Sequence, residues 1–294
     1  MTTHVPRTAS RTSPPQRWRS WSGLSTTRPA DLVSPGSAAE VAAAVAGARE
    51  RGLRVKMVGS GHSFTDIALT DGVMLDPSRL TGVTAVDRDA MTVTVLAGTT
   101  LHELNSRLHG LGLALHNMGD IDRQTVAGAV STGTHGTGGV VSSLSGQLDA
   151  VELVTGTGEL VAADRERDPD LFQAARVGLG AVGVLTSLTF RVEPAFTLQA
   201  LEEPMSLDEV LARHDELVEE HHHVDLYWFP HTDRCMVNMY DRTVDDPEPL
   251  GRLRAYVDDE LLSNTLFGLL DRATTRFPGL TRREAMNTRS ELSE

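Results

Sequence analysis

Cysteine, lysine and aromatic residues are the scarce parts of this 294-residue sequence. Its single cysteine, Cys235, excludes an internal disulfide. Lysine occurs once, at Lys56, so arginine carries almost all the positive charge. Acidic residues outnumber Lys plus Arg by 40 to 27, a formal net charge of −13. That balance argues against a nucleic-acid partner, which needs basic surface to neutralise phosphates. No apolar run approaches the roughly 18 residues of a membrane-spanning helix. The N-terminal stretch MTTHVPRTASRTSPPQRWRS has no apolar h-region and does not read as a secretory signal. A cytoplasmic location is the resulting expectation. A G-K-[ST] phosphate loop and internal repeats are missing as well.

Apolar residues make up 40% of the chain, enough for a sizeable core. Residues 1–17, basic and rich in Ser, Thr and Pro, are expected to form an unstructured leader. A helix is predicted over 34–52, opened by a capping box of Ser37 and Glu40, with Val41, Ala44, Val45 and Ala48 on one face. LRVKMVG then alternates as a strand, followed by strands over 72–76, 82–87 and 91–98. A second amphipathic helix is predicted over 99–112, with Leu101, Leu104, Leu108 and Leu111 on one face. A hairpin over 147–163, a short helix over 169–178 and a long strand over 183–194 complete an α+β pattern. The texture then turns acidic and helical, which sets a domain boundary near 195. A helix over 206–223 and a strand over 224–231 follow, and the tail TRREAMNTRSELSE is polar.

The stretch VGSGHSF (58–64) leaves the strand with two glycines one residue apart. It is not a dinucleotide fingerprint, because Phe64 stands where the third glycine belongs and TDIALTDG makes a poor helix. A cradle of backbone N–H groups and a plain tight turn remain open for it. AGAVSTGTHGTGG packs five glycines and four Ser/Thr hydroxyls into 127–139. Small residues let backbone approach a pyrophosphate, while hydroxyls and N–H groups supply donors. A third stretch, GLGAVGVLTSLTF (178–190), again has glycines opening a strand, for ligand approach or for helix–strand packing. Other motifs carry less. HELNS (102–106) lacks the second histidine of a zinc site, and the adjacent His221, His222 and His223 do not converge on one metal. No metal is expected. His116 and Asn117 read as core or turn hydrogen-bonding groups with a possible reach to a cofactor, and Trp18 and Trp21 as core or cover for the first strand.

Four stretches together, VGSGHSFTDIALTDGVMLD, LALHNMGDIDRQTVAGAVSTGTHGTG, VELVTGTGEL and AARVGLGAVGVLTSLTF, resemble the flavin-binding half of the vanillyl-alcohol-oxidase type of flavoproteins. The likeness is nearest to the aldonolactone oxidase and alditol oxidase group. It implies an α+β fold: a two-subdomain FAD-binding domain of the PCMH type over 18–195, then a partial α+β substrate domain over 196–294. The resemblance gives the flavin pyrophosphate to the loop Gly59, Ser60, Gly61, His62 and Ser63, flanked by Val58 and Phe64. His62 stands where members with this motif attach FAD covalently through the imidazole. Asp120 falls where the family touches the flavin edge. Thr125, Gly128, Thr132, Gly133, Thr134 and His135 match the second FAD loop, and Gly183 and Val184 the strand beside the adenine.

The implied activity is FAD-dependent oxidation of a CH–OH donor, a small polyol or sugar lactone, with O₂ as acceptor and H₂O₂ as product. The family's HWGK-like motif and flavin-side arginine have no counterpart here, and Lys56 lies in the FAD-binding part. The catalytic residues are therefore unassigned and expected beyond Glu294, so that the chain binds FAD but turns over poorly unless a second polypeptide completes it. A truncated flavin-binding protein without turnover is the alternative, and a non-flavin sugar-acid binder a further one.

Overall fold

The computed structural model describes residues 11–13, 17–138, 143–228, 232–246, 251 and 267–277. Most of the expected leader, part of NTLFGLL (264–270) and the polar tail lie outside the described residues. Two compact units share the chain: residues 1–136 with 141–195, and residues 137–140 with 196–294.

The first unit is built on two sheets. In one, β1 (Asp31–Ser34), β2 (Val55–Met57) and β3 (Val73–Leu75) run parallel with β3 in the middle. Arg11–Ser13, inside the stretch expected to be unstructured, pairs antiparallel with β1. Parallel strands need a crossover, and α1 (Ala38–Glu50) supplies it between β1 and β2. Its cap is half of the expected box. The Ser37 hydroxyl accepts from the Glu40 N–H, but the Glu40 carboxylate accepts from Gly36 instead of Ser37. Arg79, 3.7 Å away, also faces that carboxylate and helps to hold it there. A complete box opens α2 (Leu101–Gly110), where Thr100 and Glu103 cap each other.

The second sheet is antiparallel throughout. It comprises β4 (Val83–Asp87), β5 (Thr92–Leu96), β6 (Leu148–Val154), β7 (Leu160–Asp164) and β8 (Val184–Arg191), in the order β7-β6-β8-β5-β4. The long strand expected to reach residue 194 stops at Arg191, and Glu193–Pro194 pairs instead with Leu113–Ala114. One apolar core joins the layers. Val41 and Val45 of α1 and Leu101, Leu104 and Leu108 of α2 meet Val93, Val95, Leu153, Leu188 and Phe190 of the sheet. Two short helices, α3 (Val126–Ser131) and α4 (Pro169–Arg176), add Val126, Val130 and Phe172.

The second unit holds β9 (Thr197–Ser206), β10 (His223–Trp228) and β11 (Arg234–Thr243), antiparallel in the order β9-β11-β10. α5 (Leu207–Glu220), capped by the Ser206 hydroxyl, lays Val210 and Leu217 on Met205, Cys235, Val237 and Met239. A further helix runs over Phe267–Arg276. The helix predicted to reach residue 223 ends at Glu220 because Asp241 captures the turn. Its carboxylate bonds the His221 ring at 2.6 Å and accepts from the His222 N–H at 2.9 Å. His223 already belongs to β10, and its ring bonds the Thr137 carbonyl at 2.8 Å.

Phe172 is fully buried on α4, which packs on β6 and β7. Phe172→Ala is expected to cost about 3–5 kcal/mol, read as a lowered urea midpoint with an unchanged slope.

Candidate functional site

Ligand crevices of open α/β sheets lie beyond the carboxyl ends of parallel strands. β2 ends at Met57, and the next residue, Val58, is buried with its N–H on the Leu75 carbonyl at 2.9 Å. From Gly59 the chain leaves the sheet. The backbone N–H groups of Gly59, Ser60, Gly61, His62 and Ser63 find no acceptor among the described residues. Five successive donors without partners are costly unless water or a ligand accepts from them. Gly61 holds φ at +68°, a conformation that a side chain strains. Gly59 has no room for one, since a Cβ there would lie 2.3 Å from the Thr125 hydroxyl.

This loop forms one wall of an open cleft in the first unit, with about 1060 Å³ of empty space, part of it continuous with solvent. The other walls come from the start of α3, the segment Gly178–Gly180 and the start of β8. Of the residues singled out from sequence, Val58, Gly59, Ser60, Gly61, His62 and Ser63 line it, with Thr125, Gly128, Thr132, Gly183 and Val184. The rest do not. Phe64 turns outward and is 69% exposed. Gly133, at φ +73°, makes the turn that ends α3, its N–H on the Val130 carbonyl. Thr134 donates to the Gln124 side chain at 3.2 Å, and so acts on the cleft through Gln124, which lines it. Asp120 and His135 are exposed, and the His135 ring bonds the Gly136 carbonyl at 3.0 Å.

The hydroxyls expected to face a ligand are mostly engaged by the protein. Ser60 donates to the Arg123 carbonyl at 2.6 Å, and Thr132 to the Gly128 carbonyl at 2.9 Å. Thr125 accepts from Gly128 and caps α3. These bonds shape the walls and leave backbone amides as the main donors. His116 and Asn117 stay out of the cleft: His116 faces Glu193 at 3.2 Å, and the Asn117 carbonyl accepts from Gln147 at 2.7 Å. His102 pairs with Asp122 at 2.7 Å on an ordinary helix.

His62 is held differently from a structural turn histidine. Neither ring nitrogen has a hydrogen bond to a described residue, while Trp21 stacks on the ring at 4.9 Å and 22°. Trp21 is therefore not a core residue; it is 65% exposed and lies on the loop that follows β2.

Lys56 is the residue that sequence reasoning passed over. It lines the cleft, and no other charged side chain does so among the described residues. Its ammonium donates to the Leu179 carbonyl at 2.7 Å, and no carboxylate among the described residues pairs with it. Leu179, at φ +52°, is tied on its other side through its N–H to the Ser131 carbonyl. Burial pulls the Lys56 ammonium below its ordinary pKa. The available signal was a solitary lysine, in an arginine-only sequence, three residues before the glycine loop.

The cleft thus offers donors and one cation to an anionic, extended ligand. Residues 29–164 match the FAD binding domain family, and residues 188–292 match the D-arabinono-1,4-lactone oxidase family. The fold is that of the cholesterol oxidase from B. sterolicum, with a TM-score of 0.78 at 19% identity over 98% of this chain and 60% of that one. The fold class is thereby that of a PCMH-type FAD-binding domain, followed by a second unit. Within it the chain is similar to lactone oxidases and lactone dehydrogenases. It is 38% identical to L-gulono-1,4-lactone dehydrogenase of Mycobacterium tuberculosis, over 90% of this chain and 61% of that protein. It is 36% identical to D-arabinono-1,4-lactone oxidase of Eremothecium gossypii, over 75% of this chain and 42% of that one. L-gulonolactone oxidase of Bos taurus is 36% identical, over 79% and 52%. The chain thus spans about 61% of the length of the first of these relatives and less of the others. No described helix is long and apolar enough to cross a membrane.

A lysine whose folded pKa lies below its unfolded value penalises the fold while it is charged. The penalty is full below the folded pKa and is relieved as pH rises from there to the ordinary lysine range. Wild type is therefore expected to gain stability relative to Lys56→Met across that alkaline window, read by thermal melts of the ligand-free proteins at stepped pH.

Proposed function

We propose that the cleft binds FAD and that the protein serves the oxidation of a CH–OH carbon in an aldonolactone or related polyol, with O₂ as electron acceptor. The observation that carries the reading is the run of unpaired amides from Gly59 to Ser63, opening on a cleft whose charged side chain is Lys56. An FAD diphosphate fits both, as acceptor for the amides and as counter-charge for the ammonium. The lack of a Cβ at Gly59 and Gly61 lets Thr125 and Trp18 pack against the loop that would hold it. Gly183 and Val184 would border the adenosine end, in keeping with the family resemblance. Asp120 keeps the flavin-edge role, and His135 its place in the second FAD loop, that the resemblance gives them, though neither lines the cleft described here.

When bound, the flavin supplies the two-electron acceptor for the substrate's C–H. The chain's own residues bind, orient and exclude water. Lys56 ties β2 to the Gly178–Gly180 segment and so fixes the width of the cleft. Ser60 bonds the first glycine loop to the Arg123 carbonyl just before α3, and Thr125 lies against Gly59. His62, with both ring nitrogens at liberty, is assigned as the covalent attachment point. Neutral imidazole is a competent nucleophile near neutral pH.

The purified protein is expected to be yellow or to turn yellow with added FAD, and to keep its colour in the acid-precipitated pellet. His62→Ala is expected to bind FAD but lose all pellet-bound flavin. A protein that stays colourless with excess FAD would sink the reading. The donor is tested with L-gulono-, D-arabinono- and related lactones against polyols, following H₂O₂ in air and a dye acceptor without oxygen. Dye reduction with no peroxide would replace O₂ by another acceptor.

A further inference from the structure

A short hairpin clamps the loop that carries His62. Trp18–Arg19 pairs with Thr26–Thr27, and the turn between them is closed by the Ser20 N–H on the Ser25 carbonyl. This hairpin is fastened to the loop at separate points. The Trp21 N–H donates to the Gly61 carbonyl at 3.0 Å, and the Ser25 hydroxyl to Asp66 at 2.5 Å. Thr27 donates to the Thr70 carbonyl at 2.8 Å. The Trp18 ring lies where a Cβ on Gly61 would meet it at 2.9 Å. Ser20 and Ser25 are buried within the clamp.

The clamp presents one large ring outward. Trp21 stacks on His62 at 4.9 Å, with Phe64 edge-on to the indole at 6.3 Å. Leaving Trp21 at 65% and Phe64 at 69% exposure gains little from burial. The stack has a specific effect on the imidazole. A hydrogen bond would orient the ring by occupying one nitrogen, whereas stacking restrains it through its face. Both nitrogens, on the ring edge, stay available.

We propose that Trp21 is a positioning residue for covalent flavin attachment: its indole holds the His62 imidazole so that a ring nitrogen meets the flavin methyl. This rests on the covalent FAD reading given above. In attachment, an imidazole nitrogen of His62 forms a C–N bond to the methyl carbon. One methyl C–H and the imidazole N–H are lost. Their two hydrogens, with two electrons, reduce the ring system, and O₂ then takes them up as H₂O₂. The bond needs a near-attack geometry, so a ring free to rotate reacts more slowly.

The test compares wild type, Trp21→Ala and Trp21→Phe, each loaded with FAD in air. Two quantities are read separately: total bound flavin before denaturation, and the fraction held in the acid pellet with time. In Trp21→Ala, bound flavin is expected to stay near wild type while pellet-bound flavin forms slower by an order of magnitude or more. Trp21→Phe keeps a stacking face and is expected to restore most of the rate. The main-chain bonds of the clamp survive both changes, and a loss of folding would lower both quantities together. Equal pellet formation in wild type and Trp21→Ala overturns the inference while leaving the covalent reading intact. Wild type that releases all its flavin into acid overturns both. Trp21→Ala that loses bound and pellet flavin in parallel assigns Trp21 to folding or binding and overturns the positioning role.

Discussion

The close approach of Gly59 to Thr125 is the constraint on which the site depends. A hydrogen fits between them and a methyl does not. That contact brings the end of a parallel strand against the cap of a short helix, some 66 positions later in the chain. Once they touch, Ser60 reaches the Arg123 carbonyl, and the glycine loop is held open with its amides unsatisfied. A structure leaves five adjacent donors unpaired only where something outside the fold accepts from them. The cleft is accordingly an electrostatic device within a chain of net charge −13. It concentrates N–H dipoles and a single ammonium where the rest of the molecule is acidic.

Lys56 and Trp21 serve that device in opposite ways. The ammonium crosses the cleft to Leu179 and sets its width, although burial disfavours its charge. Such a cost is typical of a group kept for a ligand rather than for the fold. The indole stays outside, with little burial of its own, and restrains a single imidazole. In the proposed complex Lys56, on β2, would face the cofactor's phosphates, and Trp21, on the neighbouring hairpin, would act through His62 on its ring system.

Much of this was readable in the residues. Helices α1 and α2 follow from apolar spacing, and the faces named for them are the buried ones, with Ala44 and Leu111 half-buried at the margin. The glycine loops were visible because backbone approach demands small residues, a compositional mark. The readings that went astray concern who bonds with whom. Glu40 was assigned to Ser37, and Gly36 takes it. The hydroxyl of Thr132 was offered to the ligand, and the Gly128 carbonyl accepts from it. Gly133, read as a ligand contact, serves a helix turn.

The sequence alone determined the kinds of elements, the places where only glycine is tolerated, and the family likeness. Propensity, period and steric demand are local properties, written into each segment. Only the tertiary structure decided that Lys56 meets a residue 123 positions away, that Trp21 lies on His62, and which donors remain unpaired. Hydrogen-bond satisfaction closes over the whole fold, so a donor is known to be available only after every nearby acceptor has been placed.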